Sequence, residues 1–321
     1  MAIYSKAFLI FNPYAGQIRR RKSALDEAVA GMRKAGHFVQ TMPTTGPGTA
    51  SELARQCLDR GADLILVAGG DGTINEVVNG MVYSQVPLGV IPGGTANVLA
   101  VETGIGTRMR KASQSLASWI PERVSLGLHC SPGGPSRHFL LMCGAGLDAQ
   151  IVYNISASLK AAIGKISYWI AGFSQLGRRF PEFELEAEGQ RYRVSFALAS
   201  RVRNYGGDLE IARQVTLMDD CFELVLFQGS SSFKYLRYMA GVVSRHLDNV
   251  PGVTILQTRA VRMYAPEDRR IYSQIDGERA GHLPVNLEVV PRSLTLLLPQ
   301  TYRTRRSVAV PQQEWTTSHT P

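Results

Sequence analysis

Cysteine is scarce in this chain. Cys57, Cys130, Cys143 and Cys221 are its four cysteines; they lie far apart and no pair has CxxC spacing. That argues against a disulfide framework or a cysteine-built zinc site and fits the thiols of a reducing compartment. Long apolar runs are also missing. No stretch reaches the roughly 18 residues a membrane-spanning helix needs, and the nearest, 151–176, is interrupted by Lys160 and Lys165. The opening MAIYSKAFLIFNP lacks the long apolar core and small-residue cleavage site of a signal peptide. The expectation is a cytoplasmic protein whose membrane contact is peripheral. The six histidines show no metal-ligand spacing. No nucleic-acid-binding module is recognisable, so no nucleic-acid partner is expected.

What is present is ordinary globular composition: 321 residues, 45% hydrophobic and 19% charged, enough for two domains. The net charge of +9 suggests an anionic partner, either a nucleotide or an anionic membrane surface, although a mildly basic soluble protein has the same balance.

The first third alternates strand and helix patterns. Residues 6–11 (KAFLIF), 37–42, 63–68 and 86–91 (VPLGVI) read as strands, and 21–35 and 49–60 as helices. Ile74, Val77, Val78, Met81 and Val82 form one apolar helical face. Such alternation predicts a parallel sheet covered on both faces. Three strand ends run into small-residue turns, NPYAG (12–16), GGDGT (69–73) and PGGT (92–95). In open parallel sheets these ends line one ligand crevice.

Near residue 122 the pattern changes. FELEAE (183–188) and RYRVSFAL (191–198) alternate apolar and polar residues, and turns such as SPGGPS separate the segments. This predicts an antiparallel sandwich with embedded helices near 150–176 and 232–247. The α/β domain is expected over 1–122, with 286–299 a candidate to complete it, and the sandwich over 123–285. Residues 300–321 lack periodicity and read as a disordered tail.

Asp71 is the residue that needs explaining. A glycine turn opening a helix favours a phosphate, yet this one carries a carboxylate. A cation between the two resolves the conflict, because Mg²⁺ binds through one or two carboxylates plus substrate phosphates. An Asx turn capping the following helix accounts for Asp71 equally well.

GGDGTINEVVNG followed by VIPGGTANVLA resembles the diacylglycerol/sphingosine kinase-like lipid kinases. NPYAG, GAGLDA (144–149), the stretch from NYGGD to CFELVLF (204–227) and IDGE (275–278) continue the likeness in family order. The resemblance implies an Mg²⁺- and ATP-dependent lipid kinase whose N-terminal Rossmann-like α/β domain binds nucleotide and whose β-sandwich domain holds the lipid. It places Asn12, Gly16, Thr44, Gly69, Gly70, Gly72, Thr73, Gly94, Thr95 and Asn97 around ATP. Asp71 would support the metal–phosphate assembly and Glu76 would order its turn. Glu278 would be the base, with Asp276 beside it facing a metal or a water; a plain DG hairpin turn is the alternative. A second, structural Mg²⁺ is implied at Leu217, Asp220 and Phe222, where Cys221 replaces the usual glycine.

There are other departures from the family pattern. Gln17 stands where some relatives have lysine, leaving Lys22 or Arg19–Arg21 to supply positive charge. Val101 and Glu102 replace an arginine found in some diacylglycerol kinases. Lys160, Lys165, Arg178 and Arg179 around an apolar helix are candidates for anionic-membrane contact, and a homodimer stays open. An NAD kinase-like enzyme with a soluble acceptor and a non-catalytic binder of the same fold are the competing readings.

Overall fold

Parallel strands covered on both faces read as unbroken apolar runs, and in the computed structural model those runs form one sheet edge to edge. The structure describes residues 4–147, 149–150, 179–205 and 209–304. Strands β1 (Ala7–Phe11), β2 (Val39–Pro43), β3 (Leu64–Gly69) and β4 (Leu88–Pro92) pair in parallel in the order β2-β1-β3-β4. Alternate side chains point to opposite faces. Leu9, Leu64 and Leu66 meet α2 (Lys22–Lys34) and α6 (Met109–Ser115), while Phe8, Ile65 and Val67 meet α3 (Thr49–Asp59) and α4 (Asp71–Met81). Two short helices, α1 (Gly16–Arg20) and α5 (Val98–Glu102), follow the first and third glycine turns. The sequence reading had started its first helix at 21, missing α1.

The two halves of the molecule share a long ribbon. Strand β5 (Trp119–Cys130) pairs antiparallel with β18 (Val285–Pro299), with one register shift between Val290 and Leu294. Beyond that shift β18 lies parallel to β4, at Leu296↔Leu88. Before it, β18 pairs with β15 (Ala260–Tyr264), which continues to β8 (Phe183–Ala187) and β9 (Gln190–Val194). Strand β6 (Arg137–Phe139) extends β5 on its other side.

A second, six-stranded sheet faces this extension. Its order is β14 (Val253–Thr258), β13 (Phe222–Phe227), β10 (Phe196–Ser200), β7 (Met142–Gly146), β16 (Tyr272–Ile275), β17 (Glu278–His282). A two-residue pair, β11 (Asn204–Tyr205) and β12 (Leu209–Glu210), lies off both sheets. Phe139, Phe183, Leu185, Phe222, Val261 and Leu287 fill the space between the sheets. The expected architecture, parallel α/β followed by an antiparallel sandwich, is therefore the observed one.

Two local expectations change. RYRVSFAL is not one strand: the chain leaves one sheet at Val194 and enters the other at Phe196. Ser195 makes the corner, its N–H donating to Phe227 O and its Oγ to Gly229 O. Gly146, at φ 77°, accepts the close approach of the Ser195 carbonyl, which a Cβ would block. The disordered tail does not begin at 300, because α8 (Gln300–Arg303) buries Tyr302. Helix α7 (Ser232–Ser244) fills most of the stretch expected at 232–247. The helix expected at 150–176, with Lys160, Lys165 and Arg178, lies outside the described residues, as do Asp148 and residues 305–321.

Helices α3 and α4 cross at Gly80, where a Cβ would run into the Ser51 carbonyl and lie 2.8 Å from the Ala54 Cβ. Alanine is the better helix former by about 1 kcal/mol, but overpacking against backbone costs about 1–3 kcal/mol. Gly80→Ala is therefore expected to lower stability in a denaturant titration. An unchanged or raised midpoint would mean that α3 gives way freely.

Candidate functional site

The three glycine turns meet at the carboxyl ends of β1, β3 and β4. Asn12 N–H donates to Ala68 O (3.0 Å), and its side-chain Nδ2 reaches Thr73 Oγ1 (3.3 Å). Gly93 N–H donates to Gly69 O, and Gln17 N–H to Gly93 O, both at 2.9 Å. The Gln17 side chain adds a bond to Gly94 O (3.1 Å), so the residue standing in place of a lysine ties the first turn to the third. A Cβ on Gly94 would lie 2.5 Å from the Gly70 Cα, so the bare glycine is what lets these backbones touch. Gly16 packs against Thr95, with 3.1 Å from its would-be Cβ to Thr95 Oγ1. Asn97 closes the third turn in the left-handed region, φ 49°, exchanging two bonds with Gly94. Thr44 is buried at the end of β2, its N–H on Phe11 O (2.9 Å).

Asp71 opens α4, and its carboxylate reaches across to the next helix. It accepts the N–H groups of Val98 (3.1 Å) and Leu99 (3.3 Å), the first turn of α5. The carboxylate therefore bonds turn two to turn three. Glu76 also differs from expectation. Its Oε2 accepts Ala50 N–H (3.1 Å), so it caps α3 rather than ordering the GGDGT turn. Arg21 is paired with Glu27 (3.2 Å), and nothing is described of the Lys22 side chain.

The fourth component comes from the other sheet. Asp276 (φ 49°) and Gly277 (φ 80°) form a two-residue hairpin turn between β16 and β17. Glu278, the first residue of β17, extends from it toward Gly72. A Cβ on Gly72 would collide with Glu278 Oε1, so this carboxylate lies against the GGDGT turn. Its other oxygen pairs with Arg137 Nη2 at 3.3 Å, with Glu278 41% exposed.

Asp276 does not face a metal or a water as expected. Its carboxylate accepts the backbone N–H groups of Leu140 (3.0 Å), Leu141 (3.0 Å) and Met142 (2.9 Å) and the Asn75 Nδ2 (2.7 Å). Burial pushes its pKa up to about 6, against the opposing pull of those four donors. Asn75 and Asn79, one turn apart on α4, also bind the His138 backbone of β6. Sequence reasoning missed Asn75 and Arg137. The available signal was a pair of asparagines at i, i+4 beside the apolar face of α4.

Two of the three positions that the resemblance gives to a second metal have protein partners. The Leu217 carbonyl accepts a bond from Arg201 (3.1 Å), the Asp220 carboxylate is bonded by Ser125 Oγ, and Phe222 lies within β13. Among the described residues no group of three or more His, Cys, Asp or Glu could hold a metal ion. Glu102, the residue in place of an arginine, is buried and accepts Arg203 N–H (3.0 Å) and Tyr302 OH (3.1 Å).

The raised pKa of Asp276 has a signed consequence. The folded state binds its proton more tightly than the unfolded chain, whose value is 3.8. Its contribution to stability is complete below pH 3.8 and is lost as pH rises through about 6, a swing on the order of 3 kcal/mol. The stability difference between wild type and Asp276→Asn, followed by denaturation from pH 4 to 7, should shift in favour of wild type on acidification. A flat difference would place the carboxyl in an ordinary solvated setting.

Comparison with known proteins agrees with this geometry. The family model described as diacylglycerol kinase catalytic domain matches residues 6–129, and the YegS C-terminal NAD kinase beta sandwich-like domain matches 142–298. A diacylglycerol kinase of Bacillus subtilis is 28% identical over 301 residues, covering 92% of this chain and 97% of that protein. One from Staphylococcus carnosus is 26% identical over 302 residues, covering 92% and 95%. The fold matches a crystal structure of a diacylglycerol kinase from Bacillus anthracis str. Sterne with a TM-score of 0.74 at 22% identity, over 94% of this chain and 99% of that one. Another crystal structure from that strain gives a TM-score of 0.79 at 22% identity, over 94% and 98%. With both halves matched in order, the chain belongs to the diacylglycerol kinase/YegS-like family of lipid kinases.

Proposed function

We propose that this kinase transfers the γ-phosphate of Mg²⁺-bound ATP to the hydroxyl of a lipid, a diacylglycerol or a sphingoid-type acceptor, with Glu278 as the general base. The observation that carries the reading is the contact between Glu278 Oε1 and Gly72. A glycine turn at the start of an eleven-residue helix is a phosphate site. A carboxylate reaching that turn from a different sheet stands on the acceptor side of it. Phosphoryl transfer depends mainly on positioning and charge neutralisation, so a correctly held carboxylate suffices as base.

The residues present suit this division of labour. Gly70, Gly72 and Thr73 offer backbone and hydroxyl to a phosphate chain, while Gly94, Asn12, Thr44, Gly16, Thr95 and Asn97 hold the turns in register. Asp71 suits Mg²⁺, which needs only one or two protein carboxylates beside substrate phosphates; when bound, the ion neutralises phosphate charge. Glu278 accepts the proton of the attacking hydroxyl, and Arg137 holds the carboxylate in place. Asp276 is a positioning residue, since all four of its described partners are protein donors.

Membrane contact is supported by α7. Phe233, Leu236 and Val243 are 67%, 40% and 62% exposed and fall on one helical stripe, with Lys234 and Arg237 beside them. Apolar side chains flanked by basic ones suit an anionic lipid surface. This face is where the described residues combine both properties. No described helix is long and apolar enough to cross a membrane.

Incubation with γ-labelled ATP and a cell lipid extract should label a lipid, and absence of any labelled lipid would overturn the reading. Glu278→Gln keeps size and hydrogen bonding but removes proton acceptance. Turnover should fall by about 10²- to 10⁴-fold with Mg·ATP affinity nearly unchanged; lost ATP binding would move Glu278 into the nucleotide site. For the membrane, Phe233→Asp and Leu236→Asp should each weaken binding to anionic vesicles by about tenfold or more. Salt should weaken wild-type binding, since surface charge is screened over about 10 Å at 0.1 M. Unchanged vesicle affinity in both variants would take α7 out of the contact.

A further inference from the structure

Arg201 is a charged side chain with no solvent exposure, bonded to one of the carbonyls that the resemblance gives to a metal ion. It follows β10, and its guanidinium occupies the turn at 216–222. Nη2 donates to the carbonyls of Leu217 (3.1 Å) and Asp219 (3.0 Å), and Nη1 to that of Cys221 (3.2 Å). Three carbonyl oxygens converging on a buried centre form the kind of site that holds a hard cation. Here they converge on the two Nη atoms of a planar fork, while its buried Nε has no hydrogen-bond partner among the described residues.

The rest of the turn is similarly committed. Thr216 N–H and Oγ1 both bond to Asp219 Oδ2 at 2.8 Å. Asp220 accepts from Ser125 Oγ of β5, and that hydroxyl accepts Arg292 N–H (3.1 Å) from β18. Leu217 N–H donates to Tyr302 OH (3.1 Å), which donates to Glu102 at the end of α5. The turn therefore joins the six-stranded sheet to the shared ribbon and to the helix whose first turn holds Asp71.

We propose that the Arg201 guanidinium is the resident cation of this turn, standing in for a structural divalent ion, so that this chain needs Mg²⁺ with its nucleotide but not to hold its two halves together. The Leu217 carbonyl cannot serve a dication while it accepts from Nη2, because the two cations would share one oxygen in a water-free interior and repel strongly. The Asp219 and Asp220 charges favour the cationic form of Arg201. Burial lowers its pKa only to about 10, so it stays protonated at neutral pH. The inference does not depend on the identity of the lipid acceptor.

The test uses the full chain without nucleotide, dialysed against EDTA and then given Mg²⁺ alone. Elemental analysis should find no stoichiometric magnesium after dialysis, and Tm should not respond to millimolar Mg²⁺. An ion bound at 100 times its Kd would raise Tm by about 5 °C or more. One retained equivalent, or a Tm rise of that size that Asp220→Ala abolishes, would overturn the proposal. A rise that Asp220→Ala preserves locates the ion elsewhere and supports it. Arg201→Lys, whose single ammonium cannot serve three carbonyls, and the neutral Arg201→Met should both lower Tm by several degrees. Wild-type Tm in both would overturn the clamp. If neither variant folds, the wild-type magnesium measurements decide.

Discussion

The Asp276 carboxylate is the contact on which the site depends. It is buried between the two halves of the molecule and accepts three consecutive backbone N–H groups at the start of β7 together with Asn75 from α4. Those bonds fix the hairpin turn of the second sheet against the helix that begins at the GGDGT turn. Glu278 lies two residues further on, so its approach to Gly72 follows from the same anchor. Without it, burial of a carboxylate between α4 and β7 would be a large penalty with nothing to offset it. With it, a residue far along the chain is held within contact of residue 72.

On the nucleotide side the corresponding constraint is the absence of side chains. Gly70 and Gly94 touch through their backbones, and Gly72 yields its Cβ position to Glu278. Asp71 then joins the second turn to α5, where a carboxylate meeting free N–H groups of a helix start is favourable. The cluster is thus built of paired backbone and two short carboxylates, and it leaves the bases, acids and turns of the site on strand ends and helix starts rather than on long loops. That is the arrangement in which small shifts are least tolerated.

Much of this was legible in the sequence, for reasons that differ by element. The parallel strands were readable because burial on both faces leaves an unbroken apolar run, as in LILVAG. The turns were readable because close backbone approach demands glycine. Partners across the fold were not readable. Nothing local to Asp71 shows that its acceptors serve Val98 and Leu99, and nothing local to Glu76 points to Ala50. Asp276 looked like a ligand because DGE carries two carboxylates, and only the three-dimensional meeting of β7 and α4 separates their roles. The corner at Ser195 was hidden because alternation of apolar and polar residues continues through it while the strand changes sheets. Tyr302 was assigned to a tail because one aromatic has no period; its burial depends on Leu217 and Glu102, each distant in sequence.

These long-range pairs connect Asp71 and Glu278. From Asp71 the path runs along α5 to Glu102, across Tyr302 to the turn held by Arg201, and through Asp220 to Ser125 on the shared ribbon. From Glu278 it runs through the hairpin to Asp276 and Asn75, and back to α4, which Asp71 opens. The two routes meet at Asp71. Both routes join side-chain pairs, Tyr302–Glu102, Ser125–Asp220 and Asn75–Asp276, to bonds with backbone amides. A dication at the 216–222 turn would be an additional requirement on the first route; the guanidinium of Arg201, just after β10, completes that route within the polypeptide itself.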